Sequence, residues 1–551
     1  MGVFGKGLAF LCRDFSCWTS THGIPHIGMA NSQWLRFFWI FVVVACFCGF
    51  LFQLETLLRK YFAYQVNTET ALQFSERVFP TVTICHLNPW KQMGSKGTLV
   101  DISDLITAYG NSYDGYSASS NYEFSAGLTG DRQQRAVTYT TMMSETIIND
   151  PVGEGHAYTY DDLVISCTYN AQTCNASDFD TVFDPNYGNC QQFNFNNLPE
   201  PPKTSSRAGP LYGLRMVFKT NQQQYLPWTE ASGMVVVIHG MTEHPFPDVT
   251  GYYAPPGTAS SMGVRFVSTT RLPTPYGDCT TETEVASTYY NGTYATEACL
   301  RACLQENIVN KCGCYDPAYA FEALQVESCY KNPVDNTTAA FTNKAIECIN
   351  AFTNPGTGPN DFNLITQCDC PQPCIVESYS VTVSTAAWPS NQYTPSECNE
   401  PENATTQPWA AENMECVAWY GQNTALIEIY YERMNYQVLT ESPAYSFVNL
   451  ISDIGGQVGL FLGMSIISVI EFLTLLLLIF CYCTTHKQRK TEIENIEREM
   501  AKQKENTRLM QEHRRKRKMA AIGMIDGTHD NPMYTHDAND PVVPPAVQEP
   551  K

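Results

Sequence analysis

Basic residues are scarce in this sequence. Its 551 residues include 34 Lys and Arg against 55 Asp and Glu, which gives a formal net charge of −21 at pH 7. This balance argues against nucleic acid as a partner and favours a surface that attracts cations. A chain of this length is also too long for one hydrophobic core, so several domains are expected.

Patterns typical of catalysis are lacking as well. The long polar segment in the middle of the chain has few histidines, and none sits in a recognisable nucleophile or metal-ligand spacing: His86, His156, His239 and His244. The sequence therefore predicts no enzyme activity, no metal site and no cofactor. A cleavable signal peptide is not expected either, because residues 1–33 are mixed and polar.

Two long apolar runs are present. The first extends from Trp34 to Leu54 and the second from Val448 to Cys483, and each is long enough to cross about 30 Å of hydrocarbon. Lys and Arg residues follow the second run directly, which favours cytosolic tails on both ends. The predicted organisation is a cytosolic segment 1–33, a first span 34–54, an extracellular domain 55–447, a second span 448–483 and a cytosolic tail 484–551.

Cysteines and glycosylation signals place the domain between the spans outside the cell. It holds 16 of the 22 cysteines and four Asn-x-Ser/Thr sequons, at Asn175, Asn291, Asn336 and Asn403. Cys-x-Cys pairs would also suit a zinc site, but an extracellular location and an even total favour disulfides. Spacing alone leaves their connectivity open. Most of the negative charge also lies here, and it serves either solubility or the enrichment of cations near a pore.

The second span is unusual for a simple membrane anchor. Glu471 places a carboxylate at membrane depth, where such groups face a partner or water, unless the side chain reaches out to the interface. Glycines recur every four residues at Gly455, Gly459 and Gly463. They allow close helix packing, and they also weaken the helix, so that backbone carbonyls could line a cavity. Packing and ion-binding interpretations are compatible.

Three motifs carry a resemblance to a known family. They are LISDIGGQVGLFLGMSIISVIEF in the second span, FPTVTICHLNP after the first span, and the pair His22–Gly23. They resemble the epithelial sodium channel/degenerin/acid-sensing superfamily. The resemblance implies a Gly-x-Ser selectivity filter, outer-vestibule and lower-pore acids, a re-entrant lining of the lower pore and a degenerin position, at Gly463, Met464, Ser465, Asp453, Glu471, His22, Gly23 and Ser452.

The resemblance also implies the architecture and the pairing of the cysteines. The expected fold is an α+β membrane protein with two transmembrane helices per subunit. A hand-like ectodomain is built on a β-sheet palm, with a finger at about 90–165 and a thumb at about 295–378. Three identical or homologous subunits would form a sodium-selective channel that amiloride blocks. The implied disulfides are Cys85–Cys190, Cys167–Cys174, Cys279–Cys374, Cys299–Cys370, Cys303–Cys368, Cys312–Cys348, Cys314–Cys329 and Cys398–Cys416.

The gating stimulus is suggested by departures from sister branches. The stretch after the first span, around Gln65, lacks the His pair of acid-sensing channels, and the tail lacks Pro-Pro-x-Tyr. The whole sequence most resembles FMRFamide-gated sodium channels. Such a peptide needs aromatic and acidic partners, which a finger stretch supplies, unless it is only a solvated loop: Tyr109, Tyr113, Asp114, Tyr116, Tyr122, Glu123 and Phe124.

Met434, Asn435 and Tyr276 are expected to transmit gating to the membrane, with core packing as the plainer role. Proton gating and a constitutively open or mechanically gated channel of the same superfamily remain alternatives. An ATP-gated channel fits poorly because the domain is poor in Lys. A non-conducting cysteine-rich receptor is the alternative from another class. A plasma-membrane protein in contact with lipid, carrying N-glycans and conducting Na⁺, is the expectation.

Overall fold

The structure is a computed structural model. It describes residues 3–94, 100–113, 132–148, 150, 153–195, 201–281, 289–320, 326–332, 335–353, 362–399 and 408–523. The chain divides into two compact units. The first comprises residues 1–62 with 447–551, and the second comprises residues 63–446.

The described residues form α-helices in both units and β-strands in the second unit. The helices are α1 Val3–Trp18, α2 Ile24–Met29, α3 Gln33–Phe62, α4 Val100–Tyr113, α5 Arg132–Ile148, α6 Tyr160–Leu163, α7 Pro247–Thr250, α8 Thr296–Cys312, α9 Asn336–Thr353, α10 Leu364–Gln367, α11 Pro408–Ala411, α12 Cys416–Asn423, α13 Phe447–Leu462 and α14 Ile466–Gly523. The strands are β1 Val66–Phe74, β2 Arg77–Val78, β3 Thr81–His86, β4 Val164–Tyr169, β5 Gln172–Thr173, β6 Phe179–Asp184, β7 Gly188–Phe193, β8 Thr204–Ser205, β9 Leu214–Lys219, β10 Met234–His239, β11 Tyr252–Ala254, β12 Thr258–Thr270, β13 Cys279–Thr280, β14 Gln372–Pro373, β15 Ile375–Ala387, β16 Thr424–Tyr431 and β17 Asn435–Pro443.

The first unit is helical, and two of its segments are long and apolar enough to cross a membrane: Gln33–Phe62 and Ile466–Thr484. Helix α3 continues eight residues past the span predicted from the sequence, at about 1.5 Å per residue. Helix α13 packs against α3 at Gly49, where an added Cβ would lie 2.9 Å from Phe461 Cε1. Small side chains at such contacts let helix backbones approach in lipid.

The N-terminal residues fold back as two helices joined by a short turn. Helix α1 ends at Trp18 and α2 begins at Ile24, with Pro25 in its first turn. Proline is favoured there because the missing N–H would have no helical partner. Gly23 in the turn has φ of +86°, and a side chain on it would overlap Val43 of α3.

The second unit contains two large sheets. One has the strand order β1-β17-β12-β16-β9-β4-β5, with β15 also paired to β12. The other has the order β11-β10-β3-β7-β6. Strands β3 and β10 are buried along their whole length, which is typical of strands covered on both faces. Phe79, Phe193, Phe218 and Met262 lie in the core that these sheets share.

A second core holds the helices of the finger and thumb segments together. Helices α5, α8 and α9 contribute buried apolar side chains to it, among them Met142, Met143, Ile308 and Ile346. Five disulfides lie between residues 279 and 374, so the thumb is cross-linked at several points along its length. All eight disulfides join the pairs that the family resemblance implied.

Candidate functional site

The second apolar segment is broken into two helices. Helix α13 ends at Leu462 and α14 begins at Ile466, so Gly463, Met464 and Ser465 form the break. Gly463 has φ of +59°, a conformation that glycine adopts without the cost other residues incur. Helix α14 restarts with the Val469 amide donating to Ser465 O at 3.2 Å. The residues that the resemblance assigned to the filter are therefore the residues at which the helix stops.

The N-terminal turn lies against this break. The His22 backbone N–H donates to Leu462 O at 3.2 Å, and His22 Nδ1 lies 3.2 Å from Gly463 O. Since a carbonyl oxygen only accepts, Nδ1 is the donor in that bond. The approach is so close that a Cβ on Gly463 would overlap the His22 ring. Carbonyls that the break leaves without helical partners are thus satisfied by His22.

Glu471 of α14 binds the same N-terminal turn. Its Oε2 accepts from Thr19 Oγ1 at 2.9 Å, from the Ser20 amide at 2.8 Å and from Ser20 Oγ at 3.1 Å. Ser20 Oγ also lies 2.6 Å from Ser468 Oγ. A carboxylate at membrane depth needs such partners. Within one subunit, Glu471 therefore holds the N-terminal turn in place.

Thr19, Ser20 and Ser468 contact the candidate site, and the sequence reasoning missed them. Ser468 could have been found, because Ser465, Ser468 and Glu471 recur every three residues and so share one face of a helix. For Thr19 and Ser20, the only signal in the sequence was their position next to His22. Backbone and hydroxyl donors to a distant carboxylate leave no spacing pattern in the sequence.

Aromatic contacts support the folded N-terminal segment. The Phe15 ring packs on Phe472 of α14 with centroids 5.1 Å apart. The His26 ring stacks on Trp39 of α3 at 4.4 Å. Contacts of this geometry stabilise by about 0.5–1.5 kcal/mol each beyond the area they bury. The segment is therefore attached to both apolar helices.

The predicted degenerin position, Ser452, and the predicted outer-vestibule residue, Asp453, lie on α13. Ser452 and Asp453 are exposed within the single subunit. Gly455 and Gly456 follow on the same helix, and an added Cβ on either would meet no described atom within 4 Å. This part of α13 therefore presents small and polar groups at an exposed surface of the single subunit.

The predicted gating residues lie in the second unit. Met434 is in the core of the sheets at 8% exposure, and Asn435 begins β17 opposite Phe74 of β1. The Tyr276 ring meets the Tyr64 ring edge-on at 5.3 Å. Packing is thus an evident role for Met434 and Tyr276, and their part in gating stays a prediction.

The structure describes only the first two residues of the predicted peptide-binding stretch, Tyr109 and Tyr113. Tyr109 is 7% exposed, and its ring packs on Tyr139 at 5.3 Å and on Trp228 at 5.4 Å. It was expected to face a peptide, but it belongs to the core, because its ring completes an aromatic cluster between helices. Tyr113 ends helix α4. Five of the residues lie outside the described part of the chain: Asp114, Tyr116, Tyr122, Glu123 and Phe124.

Three of the predicted glycosylation sites are exposed, as a glycan requires. They are Asn175, Asn291 and Asn336. Asn403 lies outside the described residues. Modification itself is still a prediction.

A subunit with two apolar membrane helices, the second broken beside a folded-back N-terminus, and a disulfide-rich domain between them has the features of an ion-channel subunit. The model of one protein family, the amiloride-sensitive sodium channels, matches residues 15–475. The chain therefore belongs to this family, whose members are ion channels and not enzymes.

Similar proteins carry degenerin names. The degenerin-like protein asic-2 of Caenorhabditis elegans is 29% identical over 496 residues, which cover 87% of this chain and 88% of that protein. Degenerin del-1 is 41% identical and degenerin unc-8 is 37% identical, both from the same organism. Those two matches cover 57% of this chain but only 44% and 39% of the relatives. The chain thus spans less than half the length of these two degenerins.

Proposed function

We propose that this chain is a subunit of a trimeric, sodium-selective, amiloride-sensitive cation channel in the plasma membrane, with both termini in the cytosol. The observation that carries the proposal is the break at Gly463–Ser465, whose flanking carbonyls are held by His22. Non-helical backbone survives at membrane depth only where protein buries it or where it lines a water-filled cavity. Three copies around one axis would bring three such breaks together.

The chemistry of the break suits a small cation. Backbone carbonyls and the Ser465 hydroxyl can replace part of the water around Na⁺. Asp453, which precedes the break on α13, would form a ring of carboxylates in a trimer, and such rings favour cations. Glu471 contributes to the lower pore by fixing the N-terminal turn, since its Oε2 already accepts three hydrogen bonds.

For the stimulus, we propose an extracellular FMRFamide-type neuropeptide. The acidic composition of the chain and the absence of a His pair after the first span support a cationic peptide rather than the proton. The disulfides that cross-link the thumb make it stiff, so a movement caused by a bound ligand would reach the membrane helices without being absorbed by bending of the thumb. A second candidate is a degenerin-type channel that opens without a peptide, and the degenerin names of the similar proteins favour it.

The test is whole-cell current in cells that express this chain alone. Each cell receives a pH drop, then FMRFamide, then the peptide with amiloride. We expect an amiloride-sensitive inward Na⁺ current with peptide and none with acid. Glu471→Gln should reduce this current or its Na⁺/K⁺ selectivity by about tenfold, because a neutral amide accepts weaker hydrogen bonds from Thr19 and Ser20 than a carboxylate does. Glu499→Gln, an exposed position far along α14, is the matched control.

The outcomes separate the candidates. Amiloride-sensitive current before any peptide is added favours the degenerin-type channel. Current with acid alone moves the chain to the proton-gated alternative. Silence under every stimulus, with the protein shown at the cell surface, contradicts a channel made of this chain alone and points to a missing partner subunit or a different ligand.

A further inference from the structure

The long strand β12 loses its partner on one side over a short stretch near its middle. It pairs in parallel with β16 over residues 259–264 and with β17 over residues 267–270. Only Arg265 and Phe266 lie between these two paired parts, whereas the neighbouring chain covers the same distance with the five residues 432–436. The longer side has to loop out, as in an enlarged β-bulge. A cavity of about 190 Å³ lies at this gap in the sheet.

The side chains around this cavity are rich in hydrogen-bond donors. None of the described residues that line it is acidic. Two guanidinium groups, two amides and one hydroxyl come from Arg265, Arg433, Asn435, Gln437 and Ser380. A guanidinium has only donors, and amides and hydroxyls are able to donate. In a chain with a net charge of −21, this lining is unusual and suits an anion.

The two arginines of the cavity differ in what they already bind. Arg265 Nε donates to Glu432, and no described group accepts from its two terminal amino groups. Its side chain keeps 49% of its surface exposed. Arg433 is exposed as well, and within the described part of the chain it forms no ion pair. The pair of arginines therefore carries one positive charge more than Glu432 neutralises, together with unused N–H donors.

A third guanidinium lies behind the aromatic wall of the cavity. Arg77 stacks on the Phe266 ring at 3.6 Å from its centroid and on the Tyr436 ring at 4.1 Å, and both rings line the cavity. Its Nε is buried, and no described group accepts a hydrogen bond from it. The charge of Arg77 thus adds to that of the two arginines that line the cavity.

The size of the cavity limits what it holds. A volume of about 190 Å³ corresponds to roughly six water molecules at about 30 Å³ each. Drug-sized ligands occupy pockets of about 300–1,000 Å³, so they do not fit inside. A carboxylate or phosphate group does fit, and a planar guanidinium binds such a group through two parallel N–H···O bonds.

We propose that this cavity is a binding site for a small oxyanion from the extracellular medium, held between Arg265 of β12 and Arg433. The bound group would tie the connection 432–434 to β12 directly before Asn435, the residue predicted to take part in gating. The proposal goes beyond the channel function and takes from it only the extracellular position of the second unit. A phosphate group and a carboxylate share this chemistry, and the experiment distinguishes them.

The experiment is isothermal titration of the purified full-length chain with sodium phosphate and, separately, with sodium acetate, near neutral pH and at constant ionic strength. We expect saturable binding of at least one of these anions to wild type. Arg433→Gln should weaken it by about tenfold or more, because charge-assisted hydrogen bonds are lost. Arg207→Gln is the matched control and should bind as wild type does, since Arg207 is also an exposed arginine of the second unit but lies outside the cavity.

A second variant keeps the proposal testable if Arg433→Gln fails to fold. Ser380 is exposed on β15 opposite Arg265, and valine is favoured in strands. Ser380→Val therefore removes one donor, retains the sheet and should weaken binding severalfold. Unchanged affinity in every folded variant of these two overturns the proposal, as does a wild type that binds neither anion. Equal weakening by Arg207→Gln also overturns it, because the surface in general would then hold the anion.

The affinities of the two anions identify the source of the oxyanion. Tighter binding of phosphate assigns the site to a phosphate group, and binding of acetate at least as tight assigns it to a carboxylate. Arg433-dependent binding in a chain that gives no current contradicts a channel made of this chain alone and leaves the site standing. Current from a chain that binds neither anion does the reverse.

Discussion

Gly463 shows how one residue can serve two needs in the broken helix. Its positive φ ends helix α13, and its missing side chain gives the His22 ring room to reach the backbone. An alanine there would incur about 1 kcal/mol for the left-handed conformation and would also collide with His22. The second effect depends on His22, whereas the first does not.

Gly463→Ala is therefore expected to reduce Na⁺ current or selectivity, because the N-terminal turn must move away from the break. The measurement is the amplitude and Na⁺/K⁺ permeability ratio of whole-cell currents. Gly455→Ala, where a Cβ meets no described atom of the subunit, is the control. His22→Ala combined with Gly463→Ala should be less harmful than the sum of the two changes. Strict additivity would contradict the proposed clash.

Single residues also mark the limit of what the sequence could predict. Glu471 was identifiable because a carboxylate in an apolar run is rare, but its partners Thr19 and Ser20 lie 452 and 451 positions away and carry no charge signal. Tyr109 was expected at a peptide surface because it begins a stretch that supplies aromatic and acidic side chains. Its burial depends on Tyr139 and Trp228, which lie far along the chain, so tertiary packing decided against a local pattern.

At the scale of elements, successive disulfides cross-link the cysteine-rich thumb along its length. Cys299 and Cys303 of α8 are one helical turn apart, and each bonds to the segment that follows α9. Cys312 at the end of α8 bonds to Cys348 of α9. Spacing could not assign these pairs, since Cys-x-Cys patterns allow many connectivities, and the family resemblance was needed. The glycines of the second span indicated a weakened helix, but they suited close packing equally well, and the resemblance was needed to place the break at Gly463–Ser465.

Removing the Cys312–Cys348 bond should destabilise the second unit more than removing Cys167–Cys174. The sequence separations are 36 and 7, and the chain-entropy model gives about 4 and about 2 kcal/mol for loops of these lengths. The measurement is the thermal midpoint of the purified chain with both cysteines of a pair changed to Ser. Equal shifts, or a larger shift for Cys167–Cys174, would show that loop entropy is not the main contribution.

At the scale of the whole second unit, acid acts through two opposed sets of buried groups. Burial lowers the pKa of His86 and of His239 to about 4. His86 Nε2 lies 2.8 Å from Thr220 O and Nδ1 lies 2.7 Å from Asn88 O. These two contacts raise the pKa of the ring, but the desolvation of the buried ring outweighs them. Burial also raises the pKa of Asp184 and of Asp316 to about 6.

The two sets change the stability of the folded state in opposite directions as the pH falls, as proton linkage requires. A histidine with a lowered pKa contributes its stability above about pH 6.5, and that stability is lost as pH falls toward 4. An aspartate with a raised pKa contributes its stability at low pH and loses it as pH rises through 6. The folded domain should therefore change less in stability between pH 6.5 and 4 than either set alone would require.

His86→Gln should expose this balance. In wild type, protonation of His86 on acidification should lower the free energy of unfolding by roughly 3 kcal/mol, at about 1.4 kcal/mol per pH unit. The variant lacks this loss, so its thermal midpoint should fall less than that of wild type between pH 6.5 and 4.5. Asp184→Asn should fall more, because it removes an opposing gain. The exposed His513 of α14 provides the control His513→Gln, which should follow wild type. Parallel curves for all four proteins would mean that these buried groups do not set the acid response. Steep acid loss in wild type would then have to come from breaking the ion pairs on the surface.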